Sequence, residues 1–161
     1  MRVFRNLMQM RDGRKNRQLA ETTENTGMLR EGNAYFDAAK YVIKLKDDLR
    51  KLAIYIELTP GPFYDSPNLC LVGLAEQIVS ENPIFYGGSV GSCVLDSVQT
   101  KIMDYARQLA LVCEISTTHP PAQLFFHLAR YGQVPKLNDY CQEIADQLLS
   151  MADSEDSKLY E

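Results

Sequence analysis

Between residues 35 and 56, apolar side chains recur at Tyr35, Ala38, Val42, Leu45, Leu49, Leu52 and Ile56, at alternating intervals of three and four. That spacing puts all seven on one stripe of an α-helix, whereas a strand would show its buried face at every second residue. Lys40, Lys44, Asp47, Asp48 and Lys51 fall on the other faces, with Asp47 and Lys51 at the favourable i,i+4 separation. Asn33 stands where an N-cap belongs, and Asp37 lies in the first turns, where the helix dipole favours an acid. Thr59-Pro60-Gly61-Pro62 ends the helix, because proline lacks the amide and clashes with the preceding turn. The stretch IYIEL at 54–58 has strand-like residues but keeps the helical phase, so it is read as the last turns of this helix.

The same reading continues along the chain. A second helix is predicted from Ser66-Pro67, serine as cap and proline as first helical residue, through Leu71, Leu74, Ala75, Ile78 and Val79 to a stop before Pro83. Gly73 in its interior costs about 1 kcal/mol relative to alanine, a cost that a close helix crossing would explain. A third begins near Ser92 and carries Leu95, Val98, Ile102, Tyr105, Leu109 and Val112, flanked by Ala106, Ala110 and Cys113. Its broad apolar surface predicts the most buried element. A fourth enters through Thr118-His119-Pro120-Pro121 and stops at Gly132, a suitable residue just past a helix end. A fifth opens at Pro135 and shows Leu137, Cys141, Ile144, Leu148 and Met151, with fraying predicted after Ala152.

No alternating run suggests a sheet, and no internal repeat is visible. The expected fold is therefore all-α: a compact helical bundle of about five helices, two long and three shorter, with an extended basic N-terminal arm. Leu49 and Leu109, central in the two longest stripes, should be buried. Residues 1–32 are read as a basic arm and linker, 33–152 as the bundle and 153–161 as an acidic tail.

Composition narrows the class. At 161 residues and 45% apolar content the chain is long enough for one self-sufficient core, burying roughly two-thirds of the unfolded surface. No apolar stretch approaches the length of a membrane span. Cys70, Cys93, Cys113 and Cys141 are separated by 23, 20 and 28 residues, so no C-x-x-C metal or redox motif exists. Each has an apolar neighbour, and all four are read as reduced thiols packed as small hydrophobes. The net charge of −4 conceals an asymmetry: residues 1–17 hold six bases against Asp12, while residues 139–161 hold seven acids against Lys158.

The candidate chemistry is thin. The loop Tyr86-Gly87-Gly88-Ser89-Val90-Gly91-Ser92 resembles a phosphate cradle at a helix start, but the lysine of a P-loop is missing, and a turn ending in a serine cap accounts for it. Cys113 and His119 supply the minimum for an activated thiolate, with nothing to orient the imidazole or hold an oxyanion. His127 is read as a half-buried packing residue. Adjacent Asp47 and Asp48 point to different sides of a helix, and no histidine motif for a metal occurs. No catalytic, cofactor-binding or metal-ligating residue is assigned, and no cofactor is expected.

What remains points to association. Arg2, Arg5, Arg11, Arg14, Lys15 and Arg17 form a basic arm with Phe4 and Leu7 as its apolar anchors. Phe63 and Tyr64 sit on a proline-stiffened loop that would lose little entropy on binding. The expected function is a non-catalytic interaction protein, a subunit, adaptor or regulator of an assembly, docking a protein partner or a second copy of itself through these residues. A nucleic-acid-binding accessory role, with the basic residues of 2–17 on nucleic-acid phosphates, is the first alternative, and a small enzyme with an unrecognised site the second. A cytoplasmic location is expected, with organelle import left open by the arginine-rich start.

Overall fold

The computed structural model describes residues 33–62, 65–86 and 93–160 of the chain. Among these residues the fold is all-helical, with five α-helices and no strand: α1 (Ala34–Glu57), α2 (Ser66–Ser80), α3 (Cys93–Val112), α4 (Pro121–Arg130) and α5 (Val134–Tyr160). Three of them are long rather than two, at 24, 20 and 27 residues for α1, α3 and α5. The extra length lies at the end of α5, which continues past Ala152. Residues 153–160 contain neither glycine nor proline, so no backbone signal stops the helix there.

The chain divides into two units, residues 38–149 and residues 1–37 together with 150–161. In the second of these, Asn33 caps α1 as its position predicts. Its Oδ1 accepts hydrogen bonds from the amides of Tyr35 and Phe36, both at 3.1 Å. Its Nδ2 donates to the Ala152 carbonyl at 2.9 Å. The buried Asn33 side chain therefore satisfies both the start of one helix and a carbonyl near the end of another.

Residues 38–149 form the main helical bundle. The α1 stripe is buried as its spacing requires, with Ala38, Val42, Leu45, Leu49 and Leu52 wholly enclosed. Leu95, Val98, Ile102 and Leu109 of α3 are buried too. Val112 is not; it closes that stripe at the helix end and is 81% exposed. The most densely buried element is α4 rather than α3: six of its ten residues are enclosed, against seven of twenty. Helix α4 packs against both α2 and α3, and its Phe125 meets Phe85 edge-on with ring centroids 5.8 Å apart. A short helix with neighbours on two sides has little surface left for solvent, which a one-stripe reading underestimates.

Local chemistry sets the joints. The cap of α2 is Asp65, one residue earlier than expected, so Pro67 is its second helical residue; the Asp65 side chain makes no capping bond. After α2 the buried Asn82 donates from Nδ2 to the Tyr41 carbonyl at 3.0 Å and accepts from the Ile84 amide at 3.1 Å. This pins the turn at Pro83 onto α1. A methyl group on Gly73 would meet no side chain and no other element's backbone within 4 Å, so no helix crossing among the described residues explains the glycine.

All four cysteines are thiols, yet only Cys141 packs as a small hydrophobe. Cys113 is half-buried, and Cys70 and Cys93 are exposed, because apolar neighbours in sequence lie on different sides of a helix. No helix among the described residues is long and apolar enough to cross a membrane.

Candidate functional site

The described residues of the bundle carry an open groove built by three elements. Helix α1 ends in a turn, with the Leu58 amide bonded to the Ile54 carbonyl and Gly61 beyond it at φ 131°, a conformation open to glycine. Arg130, the last residue of α4, donates from Nη2 to the Gly61 carbonyl at 3.1 Å and ties that turn to α4. On the other side, Asn138 of α5 donates to the Lys46 carbonyl at 3.0 Å, and Lys46 Nζ reaches Gln142 Oε1 at 2.6 Å. Between these ties lies a cavity of about 740 Å³.

Its lining mixes two chemistries. Ala53, Ile54 and Ile56 of α1, Pro60 of the turn, and Val134 and Pro135 of α5 give apolar walls. Lys46, Arg50 and Arg130 bring three cations, against the carboxylates of Glu57 and Asp139. Arg50 is exposed and engages Asp47 at 2.9 Å, a surface pair that competes weakly with a better partner. The Arg130 guanidinium lies 5.8 Å from the centre of the Phe126 ring, which holds its fork in place. Asn138 Oδ1 is buried without a partner, an unmet acceptor on the wall of the groove.

A second cluster runs along α4. His119, in the turn before the helix, stacks on His127 with ring centroids 4.6 Å apart and planes 28° from parallel. Burial, then the neighbouring His119, then Arg130 hold the His127 imidazole below its usual range. Elsewhere, burial pushes the Cys141 thiol up to about 12, so it stays protonated and is a poor nucleophile or metal ligand. Tyr105 of α3 and Tyr140 of α5 stack at 4.4 Å, and burial raises the Tyr140 phenol.

The residues singled out from sequence fare unevenly. Arg2, Phe4, Arg5, Leu7, Arg11, Arg14, Lys15, Arg17, Phe63 and Tyr64 all lie outside the described residues, as does the glycine-rich stretch 87–92. His119 is engaged by the ring of His127, with Cys113 half-buried after α3. Asp47 and Asp48 do diverge: one pairs with Arg50 and the other with Lys44, whose ammonium is held above its usual range mainly by that bond. Among the described residues no three metal-ligating side chains converge. The groove escaped the sequence reading because Lys46, Arg130 and Asn138 are brought together from positions 46, 130 and 138 by tertiary contact alone. Comparison with known proteins adds nothing to this picture: no family model, no curated protein and no solved structure matches the chain.

Proposed function

We propose that this chain is a non-catalytic interaction protein, a subunit, adaptor or regulator of a larger assembly, that docks a protein segment in the groove between α1, α4 and α5. The observation that carries this reading is the mixed lining of the groove. Apolar walls reward burial of partner side chains, and arginine forks reward carboxylates beside them. Ile54 and Leu58, one turn apart at the end of α1, remain exposed, Leu58 to 73%. Large apolar side chains beside an open cavity favour contact with a partner over contact with water. Cations exceed carboxylates in the lining, so the partner is a polypeptide segment that presents apolar side chains flanked by acidic ones.

Site-specific photo-crosslinking in cells tests this. A photoreactive residue at Ile54 should give a defined protein adduct, and one at the exposed Lys101 of α3 should not. The charge reversals Arg50→Glu and Arg130→Glu should each deplete the Ile54 adduct at least tenfold. Equal labelling from both positions, or an adduct indifferent to both reversals, would remove the groove from consideration. Tight nucleic-acid binding at physiological salt, abolished by deleting residues 1–17, would favour the phosphate-binding alternative instead.

A further inference from the structure

We propose that the stacked His119–His127 pair is an acid-sensitive latch, which fastens the entry turn onto α4 while both rings are neutral and releases it on protonation. The geometry is specific. His119 lies two residues before the first helical proline of α4, and His127 lies two turns into the helix. Their rings nonetheless meet at 4.6 Å and 28°, so the turn at 117–120 folds back along the helix. Both side chains are half-buried, and neutral imidazoles stack there as any aromatic pair would.

Charge reverses the interaction. Two imidazolium rings at this separation repel, and the half-buried site screens that repulsion less than open water does. The end of α4 favours a cation through its dipole, but Arg130 already supplies one, a single turn beyond His127. After burial, the charges of His119 and then Arg130 lower the proton affinity of His127. The two helices packed against α4 carry Glu76 on α2 and Asp96, Lys101, Asp104 and Arg107 on α3, with Glu114 just beyond; none of these contributes to the lowered affinity of His127 for protons. With its proton affinity lowered by folding, His127 leaves stability intact above its ordinary value of 6.5. Stability is lost as pH falls from there toward the folded midpoint, and no further loss from this group follows below it. Helix α4 also brings Arg130 to the groove, so release of the latch would loosen one groove wall; that consequence alone rests on the docking reading.

The latch is tested on the full chain without any partner. NMR titration of the two imidazoles should give a His127 midpoint below 6.5, and His119→Gln should raise it by at least half a pH unit. Hydrogen exchange should show the amides of residues 119–131 losing protection at least tenfold between pH 7.5 and pH 5.5, beyond any change in α1. In His119→Gln that selective loss should shrink at least threefold, and in His127→Gln it should vanish. A His127 midpoint unmoved by His119→Gln, or exchange that rises equally in α1 and α4, would overturn the latch. Either result would leave the crosslinking outcome at Ile54 untouched, so the two proposals fail separately.

Discussion

Helices α3 and α4 end in the same way with opposite residues. At the end of α4 the Gly132 amide reaches the Ala129 carbonyl and the Gln133 amide reaches Leu128, at 3.1 and 2.8 Å. At the end of α3 the Glu114 amide reaches Leu111 and the Ile115 amide reaches Ala110, again at 3.1 and 2.8 Å. Both closures need one residue in the left-handed region. In α4 it is Gly132 at φ 71°, which adopts it without steric cost; in α3 it is Glu114 at φ 60°, which does not. The difference lies in the residue that follows. Ile115 is buried and Gln133 only half so. The α3 closure is held by a hydrophobic anchor that outweighs backbone strain, and the α4 closure by backbone freedom with little need of an anchor.

The largest effect expected from breaking this contrast is at the anchor. Ile115→Ala should destabilise the protein by about 2–4 kcal/mol, since it removes buried methyl groups and also the contact that holds Glu114 in its strained state. Gln133→Ala, which keeps the backbone amide that makes the α4 closure, should stay within about 0.5 kcal/mol. Chemical denaturation of the two variants measures both. Equal losses would mean that the two ends are held alike.

Next in size is a matched pair of glycines. Gly132→Ala should cost about 1–2 kcal/mol although nothing lies within 4 Å of the added methyl, because the penalty is in φ and not in space. Gly73→Ala, equally uncrowded but inside α2, should instead stabilise by about 0.5–1 kcal/mol. One substitution with opposite signs at two open sites would isolate backbone conformation as the cause. A loss at Gly73 would show that a neighbour beyond the described residues uses the bare backbone there.

These ends also mark how far the sequence was legible. The stripe from Ala38 to Leu52 could be read because a long helix with one buried face writes its period into the chain. The caps at Asn33 and Gly132 were equally plain, since few residue types serve there. Val112 continues the apolar period yet faces solvent, for periodicity reports a face of the helix and not where along it the core stops. Glu114 carries no mark of a left-handed residue; the mark is Ile115, visible only once its burial is known. The groove and the stacked histidines were hidden for a related reason. Lys46 with Asn138, and His119 with His127, are joined by folding back of the chain, which local pattern does not encode. The arm and the Phe63–Tyr64 loop, where sequence placed the binding residues, lie outside the described residues.

The smallest effect is the most discriminating, because it repairs rather than breaks. Glu114→Gly relieves the left-handed strain and removes a negative charge from the negative end of the α3 dipole, both favourable. Against this, glycine adds conformational freedom to the unfolded chain, a cost of about 0.5–1 kcal/mol. The side chain is exposed, so no buried contact is lost with it. The net expectation is a gain of about 0.5 kcal/mol, read as a higher Tm with an unchanged denaturant slope. Combined with Ile115→Ala, the same change should gain more than it does alone, because a glycine closure no longer depends on the anchor. Strict additivity of the two would mean that Ile115 stabilises the core without holding Glu114 in place, and that the two helix ends differ only in sequence.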